Sequence, residues 1–266
     1  MISLPTASMS SQKKIITSYT FRNKIALIKG GREYFHLLNQ MIDNAREFIQ
    51  LQVYIFEDDS TGIKVAESLI ASARRGVIVH MLLDGYASAS LSKQLTKEMR
   101  DAGIKLRFFE PIFKSKRFYF GRRLHHKILV CDGIHALVGG INISDRYNDL
   151  PGSPGWIDWA LHMEGEAVIE LNKVCNQLFA KRKEDIILPK SNEQIANISE
   201  SFNCPIRIRR NDWVKNLNQI SSSYMEMLKK ARHEIIFLSS YFIPSTFIRK
   251  EMIKAIQRGV KIKLIL

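Results

Sequence analysis

Side chains suited to chemistry at a phosphate are concentrated in one short stretch of this sequence: His125, Lys127, Asp132 and Asn142. His125 and Lys127 are two residues apart, so both side chains project from the same face if the segment is a strand. Asp132 precedes a glycine in what reads as a tight turn, after which the chain returns as a partner strand. Imidazole, ammonium and carboxamide groups on adjacent strands can converge on one cluster of anionic oxygen atoms. The pattern therefore predicts a phosphate site.

A Gly-Gly pair beside this site allows the backbone to come close to a ligand. Gly139 and Gly140 follow the second predicted strand, and Asn142 and Ser144 come just past the bend. Each of these residues taken singly is more often structural than functional. The joint spacing, H-x-K-x4-D followed after six residues by G-G-x-N, is far more demanding. The predicted site consists of catalytic His125, Lys127 and Asp132, with Gly140, Asn142 and Ser144 binding the phosphate.

A basic and aromatic segment precedes the motif. Residues 114–123 mix aromatic rings with five cations: Lys114, Lys116, Arg117, Arg122 and Arg123. This composition suits contact with an anionic lipid surface, although a single-stranded nucleic acid or a solvated loop would also account for it. The whole chain has 40 Lys and Arg against 26 Asp and Glu, a formal charge of +14. Such an excess favours anionic partners without choosing between nucleic acid and membrane.

The composition is that of a globular protein, with 45% hydrophobic and 25% charged residues in a chain of 266. That length is enough for one large domain or two modest ones. The three cysteines resemble neither a disulfide framework nor a metal-binding cluster, so we expect reduced thiols in a cytosolic compartment. We expect no signal peptide and no transmembrane segment, because no apolar run is long enough. Contact with a membrane would then be peripheral, on its cytoplasmic side.

Helices and strands alternate along the chain. The predicted helices span residues 31–45, 61–75 and 91–102, and the predicted strands span residues 48–56, 77–83 and 104–108. This alternation indicates an α/β fold with a largely parallel sheet covered by helices.

The pattern at the start of the chain returns near its end. Landmarks at residues 45–56 and 75–77 are repeated in the same order roughly 185 residues later, which indicates two homologous halves. We predict an N-terminal extension, a first half with the H-x-K-x4-D motif, a polar linker and the start of a second half. Their respective bounds are residues 1–24, 25–188, 189–202 and 203–266.

The motif resembles the signature of the phospholipase D superfamily, and the chain is most similar to the bacterial cardiolipin synthases within it. The resemblance spans residues 25–266. Besides the motif it is carried by Tyr54, Asp59, Asp84, Tyr147, Trp156, Asp158 and Glu164, together with residues 74–77 and 241–244. It implies a phospholipase D-like α/β fold, with a mostly parallel or mixed sheet between helices and two pseudo-symmetric halves, the second incomplete. Three features depart from the family: a second H-x-K-x4-D is absent, some relatives' N-terminal membrane helices are missing, and His126 stands where arginine is common.

The resemblance also implies a chemistry that needs neither metal nor cofactor. One histidine attacks the phosphodiester and becomes a phosphohistidine, while another protonates the leaving alcohol and later activates the acceptor. Lys127 and Asn142 would stabilise the phosphoryl oxygens, Asp132 would orient the motif, and His126 would face the opposite side of the sheet. In a cardiolipin synthase the donor is phosphatidylglycerol, the acceptor is the head-group hydroxyl of a second phospholipid, and glycerol leaves.

Three functions remain open from the sequence. The first is a phosphatidyltransferase acting on anionic phospholipid at the membrane, and the resemblance favours it over nucleic-acid chemistry. The second is a phospholipase D or nuclease-type phosphodiesterase that uses water as acceptor. The third is a non-catalytic remnant that binds anionic membranes. For the first, this chain alone is expected to be incomplete and to self-associate through residues 203–266, because the second histidine would lie beyond Leu266.

Overall fold

The computed structural model describes residues 19–110, 122–189, 203–212 and 217–266. They divide into two compact units, one ending at Arg207 and the other beginning at Ile208. The predicted extension and linker lie almost entirely outside the described residues, as do Lys114, Lys116 and Arg117.

The first unit is built on a mixed sheet of eight strands in the order β4-β3-β2-β5-β6-β7-β1-β8. The strands are β1 (Thr20–Lys29), β2 (Phe48–Val53), β3 (Ile78–Asp84), β4 (Lys105–Phe109), β5 (Lys127–Cys131), β6 (His135–Gly139), β7 (Trp159–Gly165) and β8 (Asn203–Ile206). Its helices are α1 (Arg32–Asn44), α2 (Ser60–Arg74), α3 (Lys93–Asp101) and α4 (Glu166–Phe179), with short 3-10 turns at Asp145–Tyr147 and Lys183–Asp185.

Parallel pairing is confined to β2, β3 and β4, and the other pairings in this sheet are antiparallel. The prediction of a mixed sheet is confirmed. The prediction of a largely parallel sheet holds only for β2, β3 and β4, which are connected by helices. The tight turn between β5 and β6 is too short for a crossover, so it can join only antiparallel neighbours.

The predicted helices and strands of the first unit recur with small shifts at their ends. The helices begin at capped positions: Asp59 accepts a hydrogen bond from Gly62 N at 3.0 Å, and Ser92 accepts one from Leu95 N at 3.2 Å. Strand β2 stops at Val53, three residues before the predicted end, because the backbone N–H of Ile55 leaves the sheet and donates to a side chain.

Two hydrophobic clusters cover opposite faces of the sheet. One lies between the sheet and the helices α1, α2 and α3, and it takes Leu129 and Cys131 from β5. The other lies toward α4 and takes Ile128 and Val130. Odd-numbered residues of β5 therefore face the α1 side and even-numbered residues face the α4 side.

The described residues of the second unit form two helices, a parallel strand pair and two short strands. Its elements are the short strands β9 (Asn211–Asp212) and β10 (Leu217–Asn218), then α5 (Gln219–Lys230), β11 (Glu234–Leu238), α6 (Thr246–Gln257) and β12 (Lys261–Ile265). The order α5-β11-α6-β12 repeats the order α1-β2-α2-β3 of the first unit. That the two are homologous halves with the predicted bounds stays a prediction. Within the described ranges, no helix combines the length and apolar character needed to span a bilayer.

Candidate active site

Tyr54 brings two of the predicted catalytic residues together. Its ring centroid lies 4.9 Å from that of the His125 imidazole, and the Lys127 Nζ atom lies 5.0 Å from the same Tyr54 centroid. Val53, the last residue of β2, pairs with Lys127 at the start of β5, which places Tyr54 beside the motif. His125 and Lys127 therefore meet at one end of the sheet, as their spacing predicts.

Lys127 is a buried cation. Only 6% of its surface is exposed, and burial lowers its pKa from the ordinary value near 10.5 to about 8, although the nearby carboxylates of Asp158 and Asp84 raise it in part. Among the described residues, the ammonium group donates one hydrogen bond, a long one of 3.4 Å to the carbonyl oxygen of His125. A desolvated ammonium of this kind attracts the anionic oxygens of a phosphate strongly.

The His125 imidazole is favoured in its neutral form. Partial desolvation by its neighbours and the positive charge of Lys127 both lower the pKa of His125, whereas the negative charge of Asp84 raises it. A neutral imidazole keeps a lone pair on one ring nitrogen, so it can attack an electrophile or accept a proton. The residue itself remains open to solvent, so a substrate can reach the ring.

Asp84 fixes the chain segment that leads into His125. Its carboxylate, fully buried at the end of β3, accepts hydrogen bonds from the backbone N–H groups of Tyr86 at 3.0 Å, Ala87 at 2.9 Å and Leu124 at 2.7 Å. It thereby ties the residue before His125 to the end of a neighbouring strand and supplies negative charge beneath the site.

The carboxylate of Asp158 occupies the space that a side chain at residue 140 would need. A Cβ atom at Gly140 would collide with the Asp158 carboxylate, and one at Gly139 would collide with the backbone at Trp159 and Ala160. The Gly-Gly pair thus allows close packing of β6 against the start of β7, which the sequence alone had associated with a ligand. Asp158 accepts a hydrogen bond from Trp159 N at 2.7 Å and lies near enough to Lys127 to raise its pKa.

Asn142 is buried and joins three segments around the site. Its Oδ1 atom accepts a hydrogen bond from Ile55 N at 3.1 Å, and its Nδ2 atom donates to the Tyr147 hydroxyl at 2.8 Å. The second N–H of the carboxamide is the group that could reach a phosphate oxygen. The phosphate contact predicted for Asn142 stays a prediction, and its observed contacts hold the β2 end against the loop after β6.

Ser144 serves as a cap in the structure. Its hydroxyl, fully buried, accepts hydrogen bonds from Arg146 N and Arg146 Nε, both at 3.4 Å, at the start of the turn Asp145–Tyr147. The phosphate contact predicted for Ser144, like that for Gly140, stays a prediction.

Asp132 lies at the opposite end of β5 from Lys127, about 16 Å away at the rise of a strand. Its carboxylate accepts hydrogen bonds from the backbone N–H groups of Arg46 at 2.9 Å, Glu47 at 2.8 Å and Phe48 at 2.9 Å. Although the motif groups Asp132 with His125 and Lys127, the four residues between Lys127 and Asp132 extend along the strand and keep its carboxylate away from them. Its contacts are those of a residue that holds the entry to β2 against the β5–β6 turn.

His126 faces away from the site, as expected from strand alternation. Its Nδ1 atom lies 3.1 Å from Oε1 of Gln52, whose Nε2 donates to the carbonyl oxygen of Cys175 on α4. His125 and His126 are therefore on opposite faces of the sheet.

Arginine side chains cover aromatic rings near the site. The Arg123 guanidinium lies 4.9 Å from the ring centroid of Tyr86, and that of Arg146 lies 5.5 Å from that of Trp156. Tyr86 and Trp156 are 56% and 57% exposed, and Ile157, which precedes Asp158, is 80% exposed. Arg122 stacks on Phe109 at 5.2 Å and lies 3.8 Å from Glu110. We call Tyr86, Arg123, Arg146, Trp156 and Ile157 the rim.

Comparisons with known proteins agree on one family. Residues 38–182 match the family described as "Cardiolipin synthase, PLD-like domain". Cardiolipin synthase B of Escherichia coli K12 is 31% identical over 252 residues, which cover 92% of this chain and 60% of that protein. The major cardiolipin synthase ClsA of Bacillus subtilis 168 is 27% identical over 250 residues, covering 93% of this chain and 52% of that protein. The chain thus spans 60% or less of the length of these relatives.

Solved structures share the fold at low sequence identity. Phosphatidylserine synthase of Haemophilus influenzae Rd KW20 superposes with a TM-score of 0.65 at 14% identity, covering 90% of this chain and 60% of that one. Polyphosphate kinase from Porphyromonas gingivalis superposes with a TM-score of 0.56 at 16% identity, covering 91% and 37%. At these identities the likeness concerns the fold alone.

Proposed function

The chain belongs to the cardiolipin synthase family with a phospholipase D-like domain, and from this premise we propose that it provides one half-site of a phosphatidyltransferase. The reaction transfers a phosphatidyl group from phosphatidylglycerol to the head-group hydroxyl of a second phospholipid and releases glycerol. The observation that carries the proposal is the pairing of a neutral imidazole, His125, with a buried ammonium group, Lys127, at one strand end around Tyr54.

His125 forms the covalent intermediate. Its unprotonated ring nitrogen attacks phosphorus, an N–P bond forms, the P–O bond to glycerol breaks, and a proton is delivered to the departing glycerol oxygen. In the second step the acceptor hydroxyl loses its proton, its oxygen attacks phosphorus, and the N–P bond breaks. The acid of the first step becomes the base of the second, and a histidine of another half-site is the group for this role.

Lys127 stabilises the charge that builds on the non-bridging oxygens. The ammonium group is held in place by the Tyr54 ring and by the strand, so little reorganisation is needed when the trigonal bipyramid forms. Asp158 and Asp84 raise the pKa of Lys127 and so offset part of the effect of its burial. Asp84 also positions His125 through the Leu124 backbone.

The rim supports a lipid substrate over a nucleic acid. Arginine paired with tyrosine or tryptophan suits the headgroup level of an anionic membrane, although it also suits stacked bases. The exposed aliphatic side chain of Ile157 beside Asp158 favours the lipid, because a nucleic acid gains little from such a group. Peripheral binding on the cytoplasmic side of the membrane, with the basic segment 114–123 in contact, is part of this proposal. So is self-association through the second unit, where Ile236 and Leu238 are 56% and 60% exposed.

A product analysis tests the proposed function. The 4-nitrophenyl ester of phosphatidic acid serves as donor, because its leaving group needs no proton, and phosphatidylglycerol vesicles supply the acceptor. We expect 4-nitrophenolate release from the chain, and cardiolipin where self-association lets a second half-site supply the base of the second step. Phosphatidic acid as the main product would mean a hydrolase, and vesicle binding without release would mean a binding remnant. Either result would contradict the proposal.

A further inference from the structure

A second cluster of chemically active side chains lies at the other end of the sheet. A cleft of about 330 Å³ separates α1 from strands β5, β6 and β7. Its walls include Gln40 and Met41 on the helix and Cys131, His135 and His162 on the strands. Strand β6 places His135 about 13 Å from Gly139, so this cleft is distinct from the site at His125.

His135 and His162 line this cleft, and the strand register brings a third potential metal ligand, Glu164, beside them. His135 on β6 pairs directly with Glu164 on β7, and His162 lies two residues before Glu164, on the same face. The ligand atoms of His135, His162 and Glu164 all lie within 4.8 Å of one another, and the two imidazole rings stack with centroids 5.7 Å apart.

One ligand atom in this cluster lacks a partner. The Nε2 atom of His162 is buried and makes no hydrogen bond with any of the described residues. A buried polar atom without a partner carries a cost in free energy, which a bound ion would relieve.

We propose that His135, His162 and Glu164 bind a divalent cation of borderline softness, with Zn²⁺ as the representative. Two imidazoles and a carboxylate are a ligand set that zinc accepts, with a fourth position left for water. Zinc bond lengths of about 2.1 Å place neighbouring ligand atoms roughly 3.4 Å apart, so side-chain rotations must bring these atoms closer. The ion would join β6 to β7 and stabilise the first unit. This inference does not depend on the proposed function.

Lys24 competes with the cation. Its Nζ atom lies 3.2 Å from Oε1 of Glu164, and it also opposes positive charge at His162. Zinc must displace this ammonium group from the carboxylate. Replacing Lys24 should therefore strengthen zinc binding, whereas a cluster that exists only to hold Lys24 would show no such gain.

Titration of the 266-residue chain with Zn²⁺ alone, monitored by calorimetry, tests the site. The visible absorption of bound Co²⁺ provides a second measurement. We expect one ion per chain and a rise in the unfolding temperature of about 5 °C at a hundredfold excess over Kd. H135A and H162A should each weaken binding at least about tenfold. K24M should tighten it up to about fivefold. H36A, which removes an exposed histidine of α1, should leave it unchanged.

Two results would contradict the proposed zinc site. Zinc bound as tightly by H135A and H162A as by the parent chain would place the ion elsewhere. A parent chain without saturable binding at 100-fold molar excess would overturn the proposal. Circular dichroism of the metal-free variants separates a lost ligand from a lost fold, and E164Q, which keeps the size of the side chain, provides a second ligand test.

Discussion

The ammonium group of Lys127 lies 5.0 Å from the centre of the Tyr54 ring, and the His125 imidazole packs on the same ring at 4.9 Å. Both side chains therefore depend on one aromatic residue at the end of β2 for their relative placement. Because an aromatic ring attracts a cation through its face, Tyr54 stabilises the charged form of Lys127 as well as its position.

Replacing Tyr54 tests this dependence. Y54A should slow phosphatidyl transfer to His125 by about tenfold, since it removes a cation–π contact of about 1 kcal/mol and the wall beside both groups. Y54F keeps the ring and should retain most of the rate. Single-turnover kinetics with the 4-nitrophenyl donor provide the measurement. Equal losses in Y54A and Y54F would mean that the hydroxyl group, and not the ring, is important.

Lys127 should reduce the stability of the fold in a pH-dependent manner. Its pKa is about 8 in the folded protein against an ordinary value near 10.5, so the unfolded chain binds this proton more tightly. The contribution of this group to stability is therefore unfavourable below about pH 8 and improves as the pH rises toward 10.5. K127M should raise the free energy of unfolding at pH 7 by up to about 3 kcal/mol while abolishing activity.

Urea denaturation at pH 7 and pH 9.5 measures this effect. The advantage of K127M over the parent chain should shrink at the higher pH, and K64M, at an exposed lysine of α2, should show no such trend. An advantage for K127M that does not change with pH would contradict the assignment of the effect to the buried charge.

Asp132 should matter for folding more than for chemistry. D132A removes the acceptor of three backbone N–H groups and should lower the free energy of unfolding by about 3 kcal/mol. D132N keeps one carbonyl oxygen and tolerates the positive φ of 54° at this position, so it should lose about half as much. The rate per folded molecule, measured beside the unfolding curve, should stay within about twofold of the parent. A stable D132N protein without activity would instead assign Asp132 to the reaction.

The rim should control binding to anionic membranes. W156A/I157S should weaken binding to phosphatidylglycerol vesicles by about tenfold, because it removes two exposed side chains suited to the interface. I78S, which changes a 50% exposed isoleucine at the far end of β3, is the matched control. Vesicle flotation measures both. Equal binding by the two variants would mean that the rim does not contribute to binding anionic membranes.

The placement of His125, Lys127 and His126 could be predicted because it depends on strand alternation, a property of neighbouring residues. The contact of Tyr54 with both predicted catalytic side chains could not be predicted, since it arises from the pairing of β2 with β5, which joins Val53 to Lys127. The zinc-ligand cluster escaped prediction for the same reason: His135 and Glu164 meet only through the β6–β7 register.

Asp84 and Asp158 illustrate a different limit. Both belong to the residues that carry the family resemblance, yet their spacing in the sequence says nothing about which groups they contact. They act on Lys127 because the last residue of β3 and the residue before β7 lie at the same end of the sheet as the start of β5. The distance of Asp132 from Lys127 could not be read from the motif, because the motif does not show that strand β5 separates its two ends.

Covalent attachment of the phosphatidyl group to His125 can be measured in a burst experiment. The chain is mixed with excess 4-nitrophenyl ester of phosphatidic acid, 4-nitrophenolate is followed by absorbance, and the quenched protein is mapped by mass spectrometry. We expect a burst approaching one equivalent per chain, with the phosphatidyl group on His125. We also expect loss of the burst in H125A and its retention in H126A, which alters the opposite face of the sheet. A burst that survives H125A, or a phosphatidyl group on another residue, would contradict the proposed role of His125.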